Sequence, residues 1–431
     1  MLRTFFAGTL LLVAVSPASA ASLQDEFDAL ADRVEPKVIA WRRDIHQNPE
    51  LGNREFRTAK LVADHLTLLG YEVRTGVGKT GVVAVLRGGL PGPVVALRAD
   101  MDALPVTEEV DLPFASKVRT TYAGKETGVM HACGHDTHVA MLMGAAEVLA
   151  GVRDRLPGTV KLLFQPAEEG PPPGEEGGAA LMLKEGAFDE PRPEVVFGLH
   201  IGSMLNAGEL GYRPGATLAA ADVLKIVVKG RQTHGSAPWG GVDPIVTAAQ
   251  IVMGLQTIVS RQVNIAKEPA VVTIGGIDGG IRFNIIPDRV TMVGTIRTFD
   301  EALRDDIHAR IRRTAENIAE AAGASAEVTI EKPYAVTIND PALTARMLPT
   351  LQRVAGARNV QLRDRLMGAE DFSFFAQRAP GLFVFLGGTP AGQDPTKMAY
   401  NHSPRFSIDE SALKLGVRTL LHLTGDYMGR Q

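Results

Sequence analysis

Three short apolar segments, each followed at once by charged or metal-binding side chains, constrain the fold of this chain most. The segments are residues 94–98, 159–165 and 195–199. Each has the length and composition of a buried strand, and helical patterns separate them, which predicts an α/β sheet with helices on both faces. The segments lead into Asp100, the pair Glu168–Glu169, and His200. Functional sites in such sheets form at the carboxyl ends of the strands, so these side chains are expected at one edge.

A second feature is the stretch Met130–His138, which holds three of the ten histidines and the only cysteine. Imidazole and thiolate groups are ligands that divalent transition metals select. The apolar, Ala-rich run 139–150 follows and predicts a buried helix. The cluster is therefore expected in a loop that opens a helix, where free N–H groups and the helix dipole favour anionic ligands.

The first residues resemble a secretory signal peptide rather than a piece of the fold. Arg3 precedes an apolar run over residues 5–15, and the small residues 18–21 offer an Ala-x-Ala cleavage site. We predict a signal peptide over residues 1–20 and a periplasmic or secreted protein, with an uncleaved N-terminal anchor as the alternative. Export favours disulfides, but a single cysteine cannot form an internal one, whereas metal coordination would engage its thiol.

Net charge limits the classes of partner that are expected, and chain length limits the domain organisation. The net charge is −4 and there is no long basic run, which argues against nucleic acid and anionic membranes as partners. A chain of 431 residues is too long for one core. Near Arg213 the pattern changes to β-α-β-β-α-β, the ferredoxin-like order. We therefore predict a catalytic domain built from two separate segments, 22–212 and 333–431, with an inserted domain (213–332) between them.

Candidate metal ligands are scattered along the chain, as in a site that a fold assembles. They are Cys133, His135, Glu168, Glu169, His200 and His402. This mixed set exceeds what one tetrahedral ion needs and lacks the paired cysteines of structural zinc sites, which favours two metal ions with open positions. Glu168 and Glu169 would repel each other in one dry site. One is therefore expected to bind metal and the other to face the hydrolytic water as a general base.

Several motifs together resemble a known enzyme family over nearly all of the chain after residue 20. The motifs are Arg98–Pro105, Met130–His138, Gln165–Glu169, Gly198–His200, Thr233–Pro238, Phe283–Pro287, Met367–Ser373 and Asn401–Pro404. The family is the metal-dependent amidohydrolases that include aminoacylases, hippurate hydrolases, auxin-conjugate hydrolases and glutamate carboxypeptidases, and the nearest branch is the N-acyl-L-amino-acid amidohydrolases. The resemblance implies an α/β, mixed-sheet, zinc-peptidase-like catalytic domain with an inserted α+β ferredoxin-like lid and dimerisation domain.

The resemblance also implies roles for the candidate ligands. Divalent metal ions, two per subunit and drawn from Zn, Mn, Co or Ni, would be bound by Cys133, His135, Glu169, His200 and His402. Glu168 would be the general base, and Cys133 would bridge the two ions. The wider family has His-x-Asp at the end of the first strand, where this chain has Arg98-Ala99-Asp100. One family ligand is therefore missing, and Asp100 is expected to orient a ligand instead.

For the inserted domain, the resemblance implies contacts with the substrate. His234 would stabilise the oxyanion, in the family often across a dimer. Asn284 and Arg297 would hold the substrate carboxylate, which suits a guanidinium group, and Gly368 would line the same site. The expected function is hydrolysis of the amide bond of N-acyl amino acids by a homodimer or larger oligomer. Two alternatives stay open: a cysteine hydrolase with Cys133 as nucleophile, and a non-catalytic binding protein on this fold.

Overall fold

The computed structural model describes residues 23–429, so the predicted signal peptide lies outside the described residues. The helices are α1 Leu23–Gln47, α2 Phe56–Leu68, α3 His135–Gly151, α4 Gly178–Lys184, α5 Pro244–Thr257, α6 Glu301–Ala321, α7 Pro341–Ala355, α8 Phe372–Ala376 and α9 Ala412–Gly429. The strands are β1 Glu72–Val77, β2 Gly81–Arg87, β3 Leu90–Asp100, β4 Arg119–Tyr122, β5 Lys125–Gly128, β6 Pro157–Gln165, β7 Val195–Asn206, β8 Leu210–Tyr212, β9 Gly215–Leu218, β10 Ala220–Lys229, β11 Thr233–His234, β12 Ala270–Asp278, β13 Ile285–Ile286, β14 Arg289–Thr298, β15 Ser325–Tyr334, β16 Thr337–Asn339, β17 Val360–Leu362 and β18 Gly381–Thr389.

The larger sheet is mixed and has eight strands in the order β1-β2-β6-β3-β7-β18-β8-β17. Its central strands β6, β3, β7 and β18 are parallel, whereas β1 and β2 add an antiparallel edge. Helices α1, α3 and α9 pack together on one face, and α4 and α8 cover the other. The Ala-rich helix α3 is buried on nearly all sides because it lies between the sheet and helices α1 and α9. This architecture confirms the predicted mixed α/β fold class.

The smaller sheet has four antiparallel strands in the order β12-β14-β10-β15, with α5 and α6 packed against it. This is the β-α-β-β-α-β order predicted for residues 213–332, whose limits as a separate unit stay a prediction. A buried charge cluster joins α6 to the sheet, because Asp222 on β10 accepts hydrogen bonds from Arg304 Nε at 3.0 Å and His308 Nε2 at 2.5 Å.

The main departure from the sequence prediction concerns β7. The predicted strand ended at residue 199, immediately before His200, and this end is wrong. Strand β7 continues to Asn206 because β18 pairs with it as far as Thr389↔Asn206. Strand β3 leaves β7 earlier, at Arg98↔Gly198, so His200 still lies just beyond the β3 pairing. Helix α5 ends at Thr257, and a π-helical turn covers residues 258–262.

Candidate metal centre and substrate cavity

The predicted ligands meet at the carboxyl edge of the parallel strands. Glu169 follows β6, His200 lies on β7, Cys133 precedes α3, and His135 is the first residue of that helix. The turn between Cys133 and His135 requires glycine, because Gly134 has φ +90° and a Cβ there would lie 2.6 Å from Ile201 Cγ2. His402 comes from a distant loop, and its backbone N–H donates to Ala132 O at 2.8 Å.

Two of the side-chain groups that could hold a metal ion share Cys133. One is Cys133, His135 and His200, and the other is Cys133, Glu169 and His402, with the ligand atoms of each group within 4.8 Å of one another. Cys133 Sγ lies 3.4 Å from His200 Nε2, and Glu169 Oε1 lies 2.9 Å from His402 Nε2. The cysteine therefore stands where a ligand common to two neighbouring ions would stand.

An unsatisfied polar atom shows that these residues fit metal ions. His135 Nε2 is buried and makes no hydrogen bond, and the buried Glu169 Oε1 forms an ion pair with His402 Nε2 at 2.9 Å. Buried polar atoms are normally hydrogen-bonded, and leaving one unpaired costs about 1–3 kcal/mol. Mixed sulfur, nitrogen and oxygen donors are typical of divalent transition-metal sites. His135 Nε2 is therefore left with the coordination that a metal ion would supply.

Asp102, which the sequence analysis did not single out, orients two of the ligands. Its Oδ1 lies 3.2 Å from His135 Nδ1, its backbone O lies 2.9 Å from the same nitrogen, and its Oδ2 accepts the backbone N–H of Glu169 at 3.0 Å. Such contacts fix the histidine tautomer and ring orientation. The Asp-x-Asp spacing could have indicated this role, since residues two apart share a face at the end of a strand.

Asp100 orients His138 instead. Asp100 Oδ1 lies 2.5 Å from His138 Nδ1, and Asp100 Oδ2 accepts from Arg98 Nη1 at 2.6 Å. His138 Nε2 in turn accepts the backbone N–H of Ile201 at 2.8 Å. Both ring nitrogens of His138 are therefore engaged within the protein, so this histidine of the Met130–His138 cluster is not available as a ligand.

Glu168 lies beside the ligand groups and also lines the cavity. Its Oε2 is 4.0 Å from His135 Nε2, and the backbone N–H of Asp371 lies 3.4 Å from its Oε1. Burial raises the pKa of Glu168 well above its usual value, and the carboxylates of Glu370 and Glu169 raise it further. A cation held by the neighbouring ligands would oppose this rise and favour the ionised form that a base needs.

Two of the candidate ligands, Cys133 and His402, have a pKa above the usual value. Burial raises the pKa of the Cys133 thiol, and the charge of Glu169 raises it further. Interactions with Cys133 and Glu169 raise the pKa of His402 to about 10. A thiol with a raised pKa is a poor nucleophile near neutral pH, which disfavours the cysteine hydrolase alternative. Metal binding here is expected to release protons.

A cavity of about 350 Å³ adjoins the ligands, and only some of the predicted substrate contacts reach it. Arg297 and Gly368 line the cavity, whereas His234 and Asn284 do not. These two lie close together, since β11 and β13 pair and Gly235 N donates to Asn284 O at 2.8 Å. His234 is exposed, and its Nδ1 accepts the backbone N–H of Ser236 at 3.0 Å. The structure thus brings the candidate metal ligands together, whereas His234 and Asn284 do not line the cavity beside them.

Within residues 23–429, no helix has the length and apolar character needed to cross a membrane.

Comparisons with known proteins agree on one family. The family model described as peptidase family M20/M25/M40 matches residues 96–426. Thermostable carboxypeptidase 2 of Saccharolobus solfataricus is 44% identical over 89% of this chain and 93% of its own length. N-acetyl-L-cysteine deacetylase of Bacillus subtilis is 38% identical over 88% of this chain and 85% of its own length. A Bacillus subtilis structure, described as a dinuclear metal-binding M20 peptidase, superposes with a TM-score of 0.76 at 33% identity, covering 93% of this chain and 100% of that one.

Proposed function

The chain belongs to peptidase family M20/M25/M40, and on this premise we propose that it hydrolyses the amide bond of N-acyl amino acids and releases a carboxylic acid and a free amino acid. It is a metal-dependent hydrolase of linear amide bonds, and the acyl amino acid is the proposed substrate. One observation carries this choice. Arg297 lines the cavity beside the candidate ligands, and among the described residues no carboxylate pairs with its guanidinium group.

The unpaired state of Arg297 matters because a half-buried cation favours an anionic partner. Its two hydrogen bonds are long: Nε lies 3.2 Å from Thr295 Oγ1, and Nη1 lies 3.5 Å from Met367 O. The free carboxylate of an amino acid would supply the missing charge. The carboxypeptidase and the N-acetyl-L-cysteine deacetylase among the relatives support a substrate of this kind.

The candidate residues would have separate roles in metal binding, proton transfer and oxyanion stabilisation. Cys133, His135, Glu169, His200 and His402 would hold two divalent ions. Bound there, the ions would lower the pKa of water toward about 7 and polarise the scissile carbonyl. Glu168 would accept a proton from the attacking water at its carboxylate and return it to the leaving amine nitrogen. His234 would donate to the developing oxyanion.

Two further aspects of the proposal concern assembly and location. His234 would reach the scissile carbonyl by closure of residues 213–332 over the cavity, or from a second subunit in a homodimer formed through the same residues. The Arg3–Ala21 segment supports export to the periplasm or beyond the cell.

A substrate comparison tests the proposal. Metal-reconstituted protein should hydrolyse N-acetyl and longer N-acyl amino acids, and kcat/KM should fall when the amino-acid carboxylate is replaced by a carboxamide. Arg297→Met should remove this preference, at a cost of about 10- to 100-fold for the carboxylate substrate, because hydrogen bonds to charged groups contribute about 1.5–3 kcal/mol. Arg289→Met, on the same strand but exposed, is the control. Absence of turnover with every acyl amino acid would refute the proposal.

A further inference from the structure

The cavity continues past the candidate ligands along the larger sheet, where its wall is mainly apolar. Leu205 on β7, Phe385 and Leu386 on β18, and Leu218 and Leu366 line this region. Arg297, by contrast, projects from β14 of the smaller sheet. A substrate with its amide at the ligands and its amino-acid carboxylate at Arg297 would direct its acyl group along this apolar wall. The wall therefore suits the hydrocarbon portion of an acyl group.

One charged side chain interrupts this apolar wall. Arg363, just after β17, lines the cavity. Its aliphatic portion lies on β8, since a Cβ on Gly211 would be 2.8 Å from Arg363 Cγ and 3.2 Å from Cδ. The guanidinium makes one long contact, from Nη1 to Gln361 Oε1 at 3.4 Å, and no carboxylate within residues 23–429 forms an ion pair with it. A half-buried guanidinium with five N–H donors is left with unused capacity at this place.

A second donor at the same wall also lacks a strong acceptor. The Tyr400 hydroxyl lines the cavity and donates to Met204 Sδ at 3.5 Å, and a thioether is a weak acceptor. Tyr400 is 56% exposed and lines the same cavity as Arg363. Two donors with spare capacity next to an apolar wall indicate a ligand with a hydrocarbon body and an anionic end.

We propose that Arg363, assisted by Tyr400, determines specificity by binding a carboxylate at the distal end of the acyl group. The preferred substrates would be N-acyl amino acids whose acyl group is an aliphatic dicarboxylic acid. This inference rests on the proposed function, because it takes the amide to lie at the metal ligands and the amino-acid carboxylate to lie at Arg297. Arg297 and Arg363 would then hold the two ends of one dianionic substrate.

Matched substrates test this with the wild-type protein alone. Succinyl, glutaryl and adipoyl derivatives of one amino acid are compared with the same derivatives bearing a terminal carboxamide, which has the same shape and no charge. For at least one chain length, kcat/KM should favour the carboxylate by about 10- to 100-fold, the range expected for a charge-assisted hydrogen bond. A ratio near one at all three lengths would overturn the proposal. The N-acetyl amino acid, too short to carry a distal group, reports separately whether the proposed function holds.

Substitutions of Arg363 test whether this residue causes the preference for a distal carboxylate. Arg363→Met keeps the aliphatic packing on Gly211 and should bring the carboxylate-to-carboxamide ratio close to one, with the N-acetyl rate within about twofold of wild type. Arg358→Met, an exposed arginine outside the cavity, should leave the ratio unchanged. Arg363→Glu should reverse the preference toward an acyl chain that ends in an ammonium group. A ratio that survives Arg363→Met in folded, N-acetyl-hydrolysing protein would assign the carboxylate to another residue and overturn the role of Arg363.

Discussion

The carboxyl edge of the larger sheet and the separate two-stranded β11–β13 region carry two halves of one proposed site, and they differ in how complete they are. At the sheet edge, Cys133 and His135 are buried and Asp102 holds the ring of His135. In the β11–β13 region, His234 is exposed and its nearest polar contacts are with Ser236. Ligands that must bind cations strongly are preorganised, whereas a donor needed only in the transition state can arrive by movement or from a second chain.

The largest expected effect comes from removing the metal. A chelator should abolish amide hydrolysis, and adding back a divalent ion should restore it, because the preorganised half supplies only ligands and a base. Thiol reagents should also react faster with Cys133 after chelation, since metal binding would occupy its sulfur. Activity that persists without metal would contradict this account and revive the cysteine hydrolase.

A smaller loss is expected from His234→Ala. We expect kcat to fall by about 10²–10³-fold, the usual cost of one oxyanion donor, with bound metal unchanged. Gln232→Ala, at an exposed neighbouring position, is the control. Metal content and kcat measured on the same samples show whether His234 affects catalysis without affecting metal binding. If His234→Ala released metal, the distinction between a complete and an incomplete half would fail.

The mildest effect is expected from Asp102→Asn. The amide keeps the shape of the side chain but weakens its hold on His135 Nδ1, so metal affinity should fall by about 10- to 100-fold. A competition titration with a chromophoric chelator measures this change, and saturating metal should restore most of the activity. Unchanged affinity would show that Asp102 has no role in positioning the ligands.

The metal-binding edge of the sheet could be predicted from the sequence more accurately than the contacts around it. Apolar strands followed by Asp100, Glu168 and His200 were enough to predict one edge, because parallel strands end together. The continuation of β7 past His200 depends on pairing with β18, which lies almost 200 residues away, and no local pattern encodes it.

Side-chain partners were harder still to predict. His138 belongs to the same motif as His135, yet contacts with Asp100 and Ile201 occupy it. Arg363 follows a three-residue strand whose position is set by β8, about 150 residues earlier. Its place in the cavity therefore depends on long-range packing rather than on any motif.

The central claim is that Glu168 acts as a base and Glu169 as a metal ligand. Metal content and kcat, measured together on Glu168→Gln and Glu169→Gln, test this claim most directly. Glu168→Gln should keep its metal and lose about 10²–10⁴-fold in kcat, because its carboxylate transfers a proton. Glu169→Gln should lose metal, because the Glu169 carboxylate is a candidate ligand beside Cys133 and His402. Loss of metal from Glu168→Gln together with its retention in Glu169→Gln would contradict the account.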